Sequence, residues 1–393
     1  MIVVPARMGR LNKRALLDRL HRLGTASRAD LAKSLGMSQP TAGKIADELL
    51  RAGVLEEADL APPRTAVNGA KAAARLGRPG RMLRLDRSRP RFMAIQLGVT
   101  ETRLAALPVG ADAEDCWSVR LETPGSAEQW VSELRRVAGQ LPQKKFWGVL
   151  VSVPGLVDEQ EGKVLFSPNL HWTEKADLRQ LVGRVWKGPV ALVQEERALA
   201  LGHQYLTPES DDFLLVDFGD GVGGAVIVAG KLHANPLPIS GELGHTPVLG
   251  NSRRCGCGAT GCVETLVSTR GLLESFAETH AKSPKSWAAL GASIAEHGIE
   301  PWLAAALEAA AVAIAGALNV IGLRHVVITG SLTQLPPAVM DYLKQAIERG
   351  AMWARFGRVE VEAAPRRRAA GLVAVGIDRL VLPMTGQIRP QAS

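Results

Sequence analysis

Between Gly241 and Glu264 the chain reads GELGHTPVLGNSRRCGCGATGCVE, and this stretch constrains the fold more tightly than any other. It sets His245, Cys255, Cys257 and Cys262 in one short run, and three of the chain's four cysteines fall inside eight residues. Imidazole and thiolate are the donors zinc prefers, and four of them complete a tetrahedral shell. Gly256, Gly258 and Gly261 interleave with the sulfurs, so the backbone turns tightly enough to face all three toward one point. A closed shell leaves no position for a reacting water. The spacing therefore predicts a structural zinc held by His245, Cys255, Cys257 and Cys262, with Glu242 and Glu264 as carboxylates that the metal loop aims.

A chain of 393 residues, 46% hydrophobic and 22% charged, has room for two or three domains with a sizeable core. It shows neither an apolar run long enough to span a bilayer nor a leader pattern at its start, so no membrane partner is expected. Cys116, alone outside the cluster, suits a reducing cytoplasm. The net charge of +8 is unevenly spread. Residues 1–90 hold 18 Lys and Arg against 8 Asp and Glu, whereas the remaining 303 residues hold 29 against 31. Basicity concentrated in the first quarter points to a nucleic-acid-binding module attached to a body with another task.

That first quarter has helical spacing. Leu11, Ala15, Leu16, Leu20 and Leu23 line one face of a helix that Gly24 ends. Ser27 can cap a second helix with Ala29, Leu31, Ala32 and Leu35 on its apolar face, and Ser38 caps a third running to about Ala52. The third helix buries Ala42, Ile45, Ala46, Leu49 and Leu50, and presents Gln39, Thr41 and Lys44 near its start. A recognition helix touches base edges in the major groove at that end. Gly53-Val54-Leu55 leads into a first wing strand and Met82–Leu85 forms a second, which together make a winged helix-turn-helix. Ser38, Gln39, Thr41 and Lys44 are the expected DNA contacts. Between the strands, Gly77-Arg78-Pro79 is narrow enough to lay Arg78 into an A·T-rich minor groove; a solvated linker is the equal alternative.

From Arg91 onward, β-branched strands alternate with helices: Phe92–Gly98, Trp147–Val153, Val190–Val193, Phe213–Phe218, Gly224–Val228 and His325–Thr329 read as strands. Trp302–Ile321 is a long apolar helix feeding the last of them. The pattern implies α/β layers around a parallel or mixed sheet. No dinucleotide fingerprint follows the first strand, which argues against a Rossmann dehydrogenase. The domain reading is 1–60 for the helix-turn-helix, 61–89 for wing and linker, and 90–393 for the body.

At this point the chain resembles the ROK family of bacterial sugar repressors and sugar kinases. The resemblance rests on Glu242-Leu243-Gly244-His245, on the Cys255 to Glu264 run, on Val153–Asp158 and on Pro168-Asn169-Leu170. The N-terminal winged helix belongs to the repressor branch alone. The resemblance implies two actin-like α/β lobes, a sugar cleft between them, a structural zinc beside the cleft and a homodimer or homotetramer. It makes Asn169, Glu242, His245 and Glu264 contacts of a sugar or sugar-phosphate effector. Carboxylates suit that task, because they bind a sugar's hydroxyls in bidentate fashion.

Departures from the family pattern separate repressor from kinase. Where kinases carry Asp-x-Gly-Gly-Thr-Lys, this chain has Gln96-Leu97-Gly98-Val99-Thr100-Glu101. The second phosphate loop, Gly-Thr-Gly in kinases, is Gly219-Asp220-Gly221. Glu101 and Asp220 set anions where a nucleotide's phosphates would lie. The catalytic Asn-Asp has become Gln194-Glu195, which leaves Glu195 as a degenerate base position and a further sugar contact. Arg366-Arg367-Arg368 reads as a solvated turn, with a further DNA or interface contact as the alternative. The resulting expectation is a sugar-responsive transcriptional regulator, most simply a repressor of carbohydrate genes, that is not an enzyme; the alternative is an active sugar kinase with a DNA-binding domain.

Overall fold

Helix α1 (Pro5–Leu23) opens the N-terminal module of the computed structural model, which describes residues 5–58, 81–111, 116–141, 145–207, 210–233 and 239–384. Strand β1 (Ala26–Ser27) leads into α2 (Arg28–Ser34) through a reciprocal cap. The Ser27 hydroxyl accepts from the Asp30 amide at 3.1 Å, and the Asp30 carboxylate accepts from the Ser27 amide at 3.4 Å. Ser38 caps α3 (Gln39–Arg51) by accepting from the Thr41 amide at 3.3 Å. Strands β2 (Leu55–Ala58) and β3 (Met82–Leu85) then close the module as an antiparallel sheet in the order β1-β3-β2. Arg78 and its neighbours lie outside the described residues.

Two five-stranded sheets form the body, and they repeat one topology. In the first, β4 (Phe92–Leu97) is central and β5 (Glu101–Leu107) and β6 (Val119–Glu122) meander antiparallel on one side. After α4 (Ala127–Ala138), β7 (Gly148–Val153) pairs parallel with β4 on the other side. The hairpin β8 (Leu156–Asp158) and β9 (Lys163–Phe166) and helix α5 (Leu178–Gly183) follow, and β10 (Val190–Gln194) joins parallel to β7. Helix α6 (Glu195–Leu206) crosses to the second sheet. There β11 (Phe213–Phe218) is central, β12 (Val222–Val228) and β13 (Lys231–Leu232) meander antiparallel, and β14 (His325–Gly330) and β15 (Glu360–Ala363) add in parallel.

The helices of this second lobe are α7 (Glu264–Val267), α8 (Thr269–Thr279), α9 (Trp287–His297), α10 (Pro301–Ile321) and α11 (Pro337–Gly350). The chain ends through α12 (Arg368–Gly376), a π-type turn at Ile377–Val381 and α13 (Leu382–Met384). Every residue of β4, β7 and β11 is buried, as expected of strands covered on both faces. Helix α10 is long and apolar enough to cross a membrane by length and composition, but its Leu303, Leu307, Ile314 and Leu318 are buried in the second lobe's core.

The N-terminal module packs on the body. Leu16, Leu20, Leu31 and Leu49 of the N-terminal module share one continuous apolar cluster with Tyr205, Ala370 and Val373 of the body. The His21 ring stacks on Tyr205 at 3.6 Å, and Arg14 forms an ion pair with Asp378. Asp86, just past β3, accepts from Ser88 Oγ at 2.8 Å and faces Arg91 at 3.4 Å. The Arg91 guanidinium in turn lies 4.7 Å over the Trp147 ring.

Candidate functional site

The six parallel strands β4, β7, β10, β11, β14 and β15 all point their C-terminal ends at one cleft of about 420 Å³. Open α/β sheets place ligands outside the carboxyl ends of their strands, where loops are free to vary. The first lobe contributes Gly98–Glu101, Pro154-Gly155 and Gln194–Glu196; the second contributes Gly219–Gly221, Ser331, Arg366 and Arg368. Asn169, Glu195, Glu242, His245 and Glu264, the five residues read from the sequence as sugar contacts, all line this cavity.

The His–Cys loop forms one wall. His245, Cys255, Cys257 and Cys262 bring their donor atoms within 4.8 Å of one another. Cys257 Sγ lies 3.7 Å from Cys262 Sγ, and Cys255 Sγ lies 3.6 Å from His245 Nδ1. A zinc tetrahedron with metal–sulfur bonds of ~2.3 Å has sulfur–sulfur edges of ~3.8 Å, so these residues fit that ion. Burial pushes the Cys255 thiol up to about 12 and raises Cys262 as well; a bound dication reverses that preference by holding thiolates. With Nδ1 turned to the sulfurs, His245 Nε2 faces Glu242 at 3.6 Å on the cleft side.

Local backbone explains the glycines here. Gly241 has φ 81°, and a Cβ on it would lie 1.7 Å from the Gly224 carbonyl oxygen, so the Glu242 segment rests directly on β12. Glu264 Oε2 accepts from the Val222 amide at 2.9 Å, while its Oε1 lies 3.6 Å from Cys255 Sγ. One carboxylate thus ties the metal loop to the start of β12. Across the cleft, Gln194 donates to Glu242 at 3.4 Å, a direct polar link between the two walls.

The other half of the cleft corrects one sequence expectation. Arg366 and Arg368 are not on a solvated turn. Arg366 donates to both oxygens of Asp217, at 2.7 and 2.8 Å, and to the Phe218 carbonyl at 3.2 Å. Burial works against the charges on both partners. Their mutual attraction outweighs it, holding Asp217 below the usual carboxylate range and Arg366 above its ordinary value. Thr329 Oγ1 also donates to Asp217 at 2.7 Å. Arg368 donates to Glu195 Oε1 at 2.7 Å, and Gln96 donates to the same oxygen at 3.2 Å. Tripeptide runs of arginine look solvated in sequence; only the strand-end topology shows that β15 delivers these two inward. Asp217 and Glu196 were missed although each flanks a motif read from the sequence, Gly219-Asp220-Gly221 and Gln194-Glu195, because the reading stopped at the motif itself.

At the far end of the molecule, Gln39, Thr41 and Lys44 are exposed on α3 opposite the buried Ala42, Ile45, Ala46 and Leu49, with Ser38 at the cap.

Two lobes of repeated topology around a strand-end cleft, with a His–Cys wall, define an actin-like body of the sugar kinase type, here preceded by a helical module. The chain belongs to the ROK family, whose sequence profile matches residues 92–380. It is 23% identical to the xylose repressor of Caldicellulosiruptor bescii over 95% of this chain and 97% of that protein. Among solved structures, a ROK family transcriptional regulator, a homologue of the E. coli MLC protein, superposes with a TM-score of 0.72 at 20% identity, covering 96% of this chain and 98% of its own. A ROK glucokinase from Streptomyces griseus in complex with glucose and AMPPNP superposes with a TM-score of 0.58 at 23% identity, covering 72% of this chain and 97% of its own. These two near-full-length matches are to regulators, and the glucokinase match covers a smaller share of this chain.

Proposed function

We propose that this protein is a sugar-responsive repressor that binds operator DNA through a winged helix-turn-helix and carries no kinase activity. The observation that carries this reading is the state of the cleft. Its sugar half keeps Asn169, Glu242, His245 and Glu264 facing one cavity, whereas its phosphate half is crossed by the Arg366–Asp217 pair. Glu195, at the base position, has one oxygen already engaged by Arg368 and Gln96. Those two donors fix the carboxylate against Arg368 and Gln96, so it is not free to turn toward a sugar hydroxyl as a general base must. The xylose repressor among the relatives agrees with this assignment.

In this reading Ser38, Gln39, Thr41 and Lys44 face DNA, with Arg78 as a minor-groove contact. Residues 1–60 form the DNA-binding domain, 61–89 the wing and linker, and 90–393 the sugar-binding body. Zinc at His245, Cys255, Cys257 and Cys262 is structural: its role is to fix the loop that carries Glu242 and Glu264. A homodimer or homotetramer reads a pseudo-palindromic operator. Sugar changes operator affinity only if it binds one conformation more tightly than the other. The test is fluorescence anisotropy of DNA from the gene's own upstream region, with and without xylose, glucose, N-acetylglucosamine and N-acetylmannosamine. Salt-dependent binding shifted by one sugar supports the reading; DNA binding that no sugar alters, or none at all, refutes it.

A further inference from the structure

The charged groups of the cleft follow a pattern that narrows the ligand. Three arginines line it and each is already matched: Arg103 with Glu101 at 2.6 Å, Arg366 with Asp217 at 2.7 Å, and Arg368 with Glu195 at 2.7 Å. No lysine lines it among the described residues. Glu196, Asp220, Glu242 and Glu264 remain, and none of them pairs with an arginine or lysine among the described residues. The start of α6 adds no free positive end, because the Gln194 amide donates to Glu159 at 3.1 Å and Glu195 and Glu196 occupy its first turn. A zinc dication against three thiolates leaves its own shell anionic, so the metal loop offers no counter-charge either.

We propose that the effector is a sugar bearing no phosphate or carboxylate, and that Glu196 is a specificity-determining contact reading one of its hydroxyl or amino groups. This rests on the cleft being the sugar site proposed above. Glu196 lines the cleft, and its buried Oε2 has no hydrogen-bond partner among the described residues, a costly state that a ligand would relieve. Its side chain lies against Gly223, where a Cβ would come within 2.9 Å of Glu196 Cγ, so only glycine there leaves it this room in the cleft. Burial, with Glu195, Asp217 and Glu242 nearby, pushes its carboxyl up to about 8. A protonated carboxyl donates one hydrogen bond and accepts another, which matches a hydroxyl.

The test is calorimetric titration of the full chain at neutral pH with xylose, glucose, N-acetylglucosamine, N-acetylmannosamine and glucosamine, alongside glucose 6-phosphate and N-acetylglucosamine 6-phosphate. The expected result is that an unphosphorylated sugar binds and the phosphates bind on the order of 100-fold more weakly than any parent hexose. A phosphate that binds as tightly as its parent overturns the proposal and leaves the sensor reading intact. Failure of every sugar to bind removes both. Glu196→Ala should weaken the sugar about ten-fold or more while Glu196→Gln stays near wild type; equal affinity in both variants removes Glu196 from the site.

A second inference rests on helices and not on charge. Helices α6 and α12 both begin in the cleft, joined there by Glu195 and Arg368. They then cross with backbones in contact: a Cβ on Gly202 would lie 1.9 Å from the Arg367 carbonyl oxygen, and one on Gly371 would lie 1.8 Å from that of Ala198. Contact that close prevents one helix from sliding past the other without the other moving. Both reach α1, through Tyr205 stacked on His21 and through Asp378, beyond the end of α12, paired with Arg14. We infer that α6 and α12 form one strut that transmits the state of the cleft to the DNA-binding module. Tyr205→Leu and Asp378→Asn are positioning variants that should leave sugar affinity within about 3-fold of wild type. The change in DNA affinity on adding sugar should meanwhile fall to about 2-fold or less. Arg14→Gln breaks the same ion pair from the other side and should behave alike. A full sugar response in all three variants overturns the strut.

Discussion

Arg366 grips Asp217 through two parallel hydrogen bonds of 2.7 and 2.8 Å, beside Gly219 in the cleft. The pair does two things at once. It takes up polar room in the cleft, and it fixes the segment after β15 to the end of β11. Removing either partner therefore affects stability before it affects chemistry.

Asp217→Asn should lower unfolding free energy by about 3 kcal/mol, because it strands a largely buried guanidinium. Asp217 has a folded pKa below its ordinary value, so the pair's contribution is present above about pH 4 and is lost as pH falls through the lower folded value. Urea titrations of wild type and variant between pH 3 and pH 7 should converge at the acid end. A constant gap across that range would contradict the assignment.

Glu196 should make stability depend on pH between about pH 4.5 and pH 8. A carboxyl raised to about 8 in the folded state and ordinary in the unfolded chain stabilises fully below about pH 4.5. That contribution declines, by at most about 1.4 kcal/mol per pH unit, until the folded group ionises near pH 8. Glu196→Gln should flatten this slope in denaturant titrations across pH 5–9. An unchanged slope would mean that Glu196 ionises normally.

Metal content should follow the loop. Wild-type protein is expected to carry one zinc per chain by elemental analysis, and Cys257→Ser to carry far less. Sugar affinity should fall with it, since Glu242 and Glu264 lose their fixed position. Full sugar binding by a zinc-free variant would separate the two sites.

On the DNA side, Lys44→Ala should weaken binding to all sequences alike and reduce the dependence of log affinity on log salt by about one. Gln39→Ala should instead cost about 1–3 kcal/mol at one base position and relax specificity there. Anisotropy against a set of single-base operator variants distinguishes the two patterns.

The sequence was most readable where one residue type has one physical use. Cys255, Cys257 and Cys262 announced a ligand cluster, Ser27 and Ser38 announced helix starts, and the all-buried runs Phe92–Leu97 and Phe213–Phe218 announced strands. Helix α1 starts at Pro5, ahead of the apolar spacing that begins at Leu11, and β12 starts at Val222, before the predicted Gly224. Glycine-rich starts such as Val222-Gly223-Gly224 carry no strand signal of their own; pairing with β11 makes them extended. Arg366, Arg368 and Asp217 were illegible for a deeper reason. Their meaning depends on strands over a hundred residues apart in sequence ending side by side, as β11 and β15 do around β14.

The apolar cluster that joins Leu16, Leu20 and Leu49 to Tyr205 and Val373 has an evolutionary consequence. A DNA reader tethered by a loose string can be gained or shed by a single recombination. One whose interior is completed by its host cannot, because each half is left with an unfilled face when parted. Such a chain should melt in a single transition and tolerate exchange of its reader only with relatives that preserve the shared seam. Inheritance of the two halves is then bound together by packing, whatever sugar or operator each lineage comes to recognise.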